Sequence, residues 1–104
     1  MKFVTFDPEA QTEFLATVRY YEDCQQGLGH RFSLAVESAV QKISESPLMY
    51  RMLKAPFRRH LLPKFPYSII YVIEPDHIRI IAVAHNKRKP GYWSDRVLEK
   101  DDNK

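Results

Sequence analysis

The period of the apolar residues changes once along this chain, at Pro47, and that change constrains the fold more than any other feature. Before it, apolar side chains recur every three or four residues: Ala10, Phe14, Leu15, Val18 and Tyr21, then Phe32, Val36, Ala39, Val40 and Ile43. This is the spacing of one face of a helix. After it, Phe57 to Leu62, Tyr67 to Glu74 and His77 to His85 are rich in Ile, Val, Tyr and Phe and read as strands. Residues 2–6, β-branched and aromatic, form a further short strand that stops at Asp7-Pro8. Asp7 is expected to cap the first helix through its carboxylate, with Pro8 at the first helical position, where its missing N–H costs nothing. That helix runs to about Cys24. Gly27 and Gly29 interrupt the pattern, and Ser46-Pro47 ends the second helix, because proline disfavours helix in the residue before it. Two amphipathic helices joined by so few residues lie nearly antiparallel.

Glu74-Pro75-Asp76-His77 joins the last two strands, with proline where a type I turn fixes φ, so these strands form a hairpin. Alternation puts Tyr67, Ile69, Tyr71 and Ile73 on one apolar face, matched by Ile78, Ile80, Ala82 and Ala84. His77, Arg79, Ile81, Val83 and His85 fall on the other. The expected fold is α+β, in the order β-α-α-β-β-β, with a helical hairpin on one face of a four-stranded, largely antiparallel sheet.

A chain of 104 residues, 44% of them hydrophobic, suits one core and one domain, placed at residues 1–98 with a polar tail at 99–104. The longest apolar runs, Ile69 to Ile73 and Ile80 to Ala84, fall far short of the roughly 18 residues of a membrane span, so no membrane partner is expected. The first residues lack the apolar stretch of a secretory signal. Cys24, the only cysteine, cannot form an intramolecular disulfide or complete a four-ligand zinc site. A cytoplasmic location and no metal or other cofactor are expected.

The net charge of +3 hides an uneven distribution. Residues 1–50 carry four basic against seven acidic residues, a net of −3, and residues 51–104 carry twelve against six, a net of +6. From Arg51 to Lys64 there are five basic residues, His60 and no carboxylate; from His85 to Lys89 there are three and again none. Such clusters attract an anionic partner. The segment His85-Asn86-Lys87-Arg88-Lys89-Pro90-Gly91-Tyr92-Trp93 packs an imidazole, three cations, a phenol and an indole into nine residues directly after a strand, where loops carry binding groups. In the first strand after Pro47, Arg58 and His60 share one face and Arg59 takes the other. His60 and His85 titrate near neutrality and could exchange protons.

Taken together, these residues resemble the RelE/ParE superfamily of bacterial type II toxins, also called plasmid-stabilisation toxins. The resemblance is carried by Phe6-Asp7-Pro8-Glu9-Ala10, Tyr20-Tyr21, Arg31-Phe32, Pro47, Arg58-Arg59, Phe65-Pro66-Tyr67-Ser68-Ile69-Ile70-Tyr71 and the 85–93 segment with Arg96. It spans about residues 3–97, and the order of elements is that of the family.

The resemblance implies a toxin held inactive by a co-encoded antitoxin protein, and it offers two mechanisms. RelE-like members cleave messenger RNA on the ribosome; ParE-like members bind DNA gyrase without hydrolysing anything. RNA cleavage by the 2′-hydroxyl needs a base, an acid and cations on the developing charge. Carried over to this chain, Arg88 and Arg59 would stabilise the phosphorane while His85 or Tyr92 handled protons. Arg58, His60, Lys64, Lys87, Lys89, Trp93 and Arg96 would contact RNA or a protein partner. One departure stands out: ribonuclease members often carry an arginine where this chain has Ser68. The basic surplus suits RNA phosphates and tilts expectation towards the ribosome-dependent endonuclease. The gyrase inhibitor is the alternative, and a degenerate toxin that only binds antitoxin is the third.

Overall fold

The computed structural model describes residues 2–97, so the polar tail expected at 99–104 lies outside the described residues. Strand β1 (Val4–Phe6) leads into helices α1 (Pro8–Cys24) and α2 (Leu28–Glu45), and strands β2 (Arg51–Met52), β3 (Arg58–Leu61), β4 (Tyr67–Ile73) and β5 (Ile78–His85) follow. The sheet order is β1-β5-β4-β3-β2, with β1 parallel to β5 and every other pair antiparallel. The α+β order of elements is the expected one, but among the described residues the sheet has five strands and not four. The addition is β2, two exposed residues with too short a run to show any alternation.

The helical hairpin covers one face of the sheet. Phe32, Val36, Ala39 and Ile43 of α2 and Ala10 of α1 pack on Ile69, Tyr71, Ile78, Ile80 and Val83. Phe32 is fully buried and lies 5.2–5.4 Å, ring centroid to ring centroid, from Tyr21, Phe65 and Tyr67. Aromatic pairs at such distances add to the stabilisation from buried area alone. The second face is also dry. Phe57 and Trp93 close over Ile70, Val72, Ile81, Ala82 and Ala84, so the segment after β5 forms part of the core.

Two expectations about faces and caps are corrected. Tyr71 pairs with Ile80 and Ile70 with Ala82, which leaves Ile81 as a bulge in β5. One extra residue reverses the alternation beyond it. Ala82 and Ala84 therefore pack on the second face, while Val83, opposite Ile69, and His85, opposite Tyr67, point to the helix side. Asp7 sits at the start of α1, but its carboxylate makes no cap. It receives a two-pronged pair of hydrogen bonds from Arg79, Nε to Oδ1 and Nη2 to Oδ2, both 2.8 Å. A rigid guanidinium fork matches a carboxylate better than one backbone N–H does.

Helix α2 begins at Leu28, earlier than its apolar pattern, and Gly29 lies inside it. No side chain at Gly27 caps it. Glu22 of α1 does so, accepting the N–H of Gly27 at 2.9 Å and of Gly29 at 3.0 Å. Gly27 has φ +87°, and a Cβ on Gly29 would stand 2.5 Å from the Val18 carbonyl oxygen. The two glycines thus allow the tight turn and the close helix approach that bring Glu22 to its donors.

Candidate functional site

Strand β5 ends at His85, and the chain turns back over the start of β4. The N–H of Asn86 donates to the Pro66 carbonyl at 2.8 Å, and the Ser68 hydroxyl donates to Asn86 Oδ1 at 2.6 Å. Ser68 is buried under that turn. The Lys87 N–H donates to His85 Nδ1 at 3.0 Å, so the neutral ring carries its proton on Nε2. Tyr67 meets the same ring edge to face at 5.0 Å.

A notch of about 70 Å³ lies between this turn and the second face of the sheet, lined among others by Arg59, Ser68, His85, Asn86, Arg88 and Trp93. Small-molecule pockets are several times larger, at roughly 300–1,000 Å³. Arg59 and Arg88 thus come together at a surface depression that suits an anionic group on a large partner, and His85 borders it at the strand end while its ring turns to Tyr67 on the helix side. Lys87 and Lys89 are exposed beside it, and exposed Lys64, between β3 and β4, lies at the same end of the sheet. No carboxylate of the described residues lies within ion-pairing distance of Arg59.

The remaining candidates direct their polar atoms inward. Among the described residues, β5 has no strand beside it on the β1 side past Ile80. Glu13 of α1 accepts the Val83 N–H through Oε1 at 3.0 Å, and Arg96 donates to the Ile81 carbonyl at 2.9 Å. Glu13 and Arg96 join each other at 2.9 and 3.2 Å. This side-chain pair stands in for the missing strand and satisfies backbone groups that an open edge would leave unpaired. Tyr92 completes the cluster, its hydroxyl donating to Glu13 Oε2 at 2.8 Å. Burial first, and the Glu13 carboxylate second, push the Tyr92 pKa well above that of a free tyrosine.

Arg88 lies over this cluster, its guanidinium carbon 3.9 Å from the centre of the Tyr92 ring and Nη1 3.9 Å from Glu13 Oε2. Its side chain is 57% exposed, so it presents charge to solvent while resting on a fixed aromatic platform. Trp93 is buried against Phe57, with ring centroids 6.3 Å apart. His60 is buried on the helix side, 4.3 Å from the Tyr50 ring, and burial followed by nearby Lys42 lowers its pKa. Arg58 donates to the Tyr50 carbonyl at 2.9 Å and holds the loop ahead of β2. The Tyr71 hydroxyl fixes the same loop through the Pro47 carbonyl at 2.6 Å.

The residue that organises this region, Glu13, was not among the sequence candidates. A signal for it exists: Ala10, Glu13 and Thr17 stand three and four residues apart on the face of α1 that carries Ala10 into the core. A carboxylate on such a face requires partners, and their identity lies 70 to 83 residues away.

Comparison with known proteins places this architecture. No curated protein sequence matches the chain. A solved structure described as the chromosomal ParDE TA system from P. aeruginosa superposes with a TM-score of 0.63 at 15% identity, covering 82% of this chain and 96% of that one. At that identity the likeness establishes the fold alone. Residues 4–90 match the family model of the ParE toxin of the type II toxin-antitoxin system parDE, a span that contains both helices, all five strands and the turn bearing Arg88. With most of its length covered by that model, the chain belongs to the ParE toxin family of type II toxin–antitoxin systems.

Proposed function

We propose that this toxin arrests growth by binding DNA gyrase and not by cutting messenger RNA. One observation carries the choice: the Tyr92 hydroxyl, on which a nuclease site would draw for proton transfer, is already donated to Glu13. RNA transesterification needs one group to take the 2′-hydroxyl proton and another to protonate the leaving 5′-oxygen. With its pKa pushed up, Tyr92 is not a base near neutrality, and its one proton serves Glu13. His60 is buried on the helix side. Of the four residues proposed for these roles or for phosphorane stabilisation, Arg59, Arg88 and His85 border the notch, and the two guanidinium groups supply charge, so a single imidazole is left where the reaction needs both a base and an acid. Two cations on an open surface suit electrostatic contact with a protein. Gyrase inhibition is also the usual activity of the ParE family. Type II membership implies an antitoxin as the second partner.

The endonuclease is kept as a second reading because Arg59, Arg88 and His85 border one notch. Two assays on the purified chain separate them. Gyrase supercoiling should be blocked, while primer extension on the message in a purified coupled translation reaction should give full-length product. Codon-spaced cuts that disappear with Arg88→Ala, together with unaffected supercoiling, would establish the nuclease instead.

A further inference from the structure

The outer edge of the sheet carries a pair of charges that folding does not explain. Arg51 of β2 and Arg59 of β3 are register partners, so their side chains project from the same face opposite each other. Like charges in that relation are destabilising. The ion pairs of the described residues lie elsewhere, on Arg79, Arg88, Arg96 and His77, and none relieves this repulsion. From Arg51 to Lys64 the sequence supplies no carboxylate either. An anion placed between the two arginines would turn the repulsion into attraction.

Two neighbours identify the kind of anion. Met49 and Leu61 line the same depression of about 410 Å³ and are 67% and 53% exposed. Bases stack on open aromatic faces, whereas the two rings that border this depression, Tyr50 and His60, are turned edge to face on each other at 4.3 Å, with His60 buried and Tyr50 packed on the helix-side core. Thioether and isobutyl groups beside guanidinium groups fit a protein segment that mixes acidic and apolar side chains. The backbone is prepared as well. Leu53 donates to the Phe57 carbonyl at 2.9 Å, and hydrogen-bonded positions alternate along an antiparallel pair, so Met52 turns its N–H and C=O outwards from the last strand of the sheet.

We infer that Arg51 and Arg59 bind an acidic, partly apolar segment of the toxin's protein target, which lies along β2 in extended form. Main-chain bonds to Met52 would supply affinity, and the arginines with Met49 and Leu61 would supply selectivity. Arg59 also lines the notch that holds Arg88, so one cationic strip runs from the turn after β5 to the sheet edge. This inference rests on the proposal that the toxin acts by binding gyrase.

The test compares the full chain with Arg51→Glu and Arg51→Gln in gyrase supercoiling, in antitoxin binding and in thermal unfolding. Arg51→Glu should raise the toxin concentration for half-inhibition at least about tenfold, since a lost interfacial charge pair is costly. Antitoxin binding should be unchanged. Arg51→Gln should unfold about 2 °C higher, because it removes the repulsion. Equal inhibition by Arg51→Glu and the unaltered chain overturns the inference and leaves the gyrase proposal standing. Loss of antitoxin binding alone reassigns the edge to the antitoxin and also overturns it. A lower midpoint for Arg51→Gln shows a structural partner and overturns it too. Failure of the unaltered chain to inhibit supercoiling removes both.

Discussion

Glu13→Ala is expected to lower the thermal midpoint on the order of 15 °C, the larger of two structural effects that follow from buried charge. The substitution leaves the Val83 N–H, the Tyr92 hydroxyl and the Arg96 guanidinium without their shared acceptor. The Glu13 and Arg96 side chains are only 15% and 17% exposed, so water replaces little of what is lost. Breaking a buried pair by removing one partner costs about 3–5 kcal/mol. A domain of this size shifts by roughly 4–8 °C per kcal/mol. Glu13→Gln should lose less than Glu13→Ala, because its amide oxygen still accepts the Val83 N–H, although it too leaves Arg96 without a counter-charge. That ordering distinguishes the acceptor role from mere packing, and it is read by calorimetry. Glu13→Ala with a midpoint within about 2 °C of the unaltered chain would show that the cluster contributes nothing. A functional consequence accompanies the loss of stability. Arg88 rests on the Tyr92 ring, which Glu13 fixes, so growth arrest should weaken together with the midpoint.

Arg79→Ala should be nearly as damaging, at about 3 kcal/mol. Arg79 joins β5 to the start of α1 through Asp7 and reaches Glu74 in the turn of the hairpin at 3.4 Å. Its side chain is 9% exposed and that of Asp7 is 12%. Removing the guanidinium strands a buried carboxylate. Asp7 stands at the N-cap position, so once released it can turn towards the first N–H groups of α1 and recover part of the loss. The double replacement Asp7→Ala with Arg79→Ala should therefore cost less than the sum of the single ones. Additive losses in urea unfolding would show that the two residues do not act as a pair.

The helix-to-strand change at Pro47 was legible because periodicity is a local property. The bulge was not. Ile80-Ile81-Ala82-Val83-Ala84 is apolar throughout, so either phase of the alternation looks equally good, and only pairing with β4 reveals that Ile81 is unpaired. Strand β2 was hidden because two exposed residues have no period. Asp7 was read correctly in place but not in partner, since a cap is local and Arg79 is 72 residues away.

The site divides along the same line. The clustering of cations after β5 was visible as charge, and the geometry does bring Arg59, Arg88 and His85 to one notch. Sequence gives no account of which polar atoms the fold itself consumes. Tyr92, Arg96 and Arg58 resembled Arg88 in the chain, yet each bonds to a carboxylate or carbonyl of its own fold. The difference between a displayed cation and a spent one is set by tertiary contacts.

The central claim is that this toxin works through displayed charge and without proton transfer by Tyr92, and Tyr92→Phe tests it most directly. Phenylalanine keeps the ring beneath Arg88 and removes the hydroxyl, while Glu13 retains Arg96 and the Val83 N–H. The measurement is surviving colonies after induction in cells lacking the antitoxin, with the unfolding midpoint recorded for the same variant. Tyr92→Phe is predicted to arrest growth as strongly as the unaltered chain. Loss of arrest by a variant that is still folded and still binds antitoxin, at the ~100-fold or greater scale typical of a removed acid or base, would contradict the account.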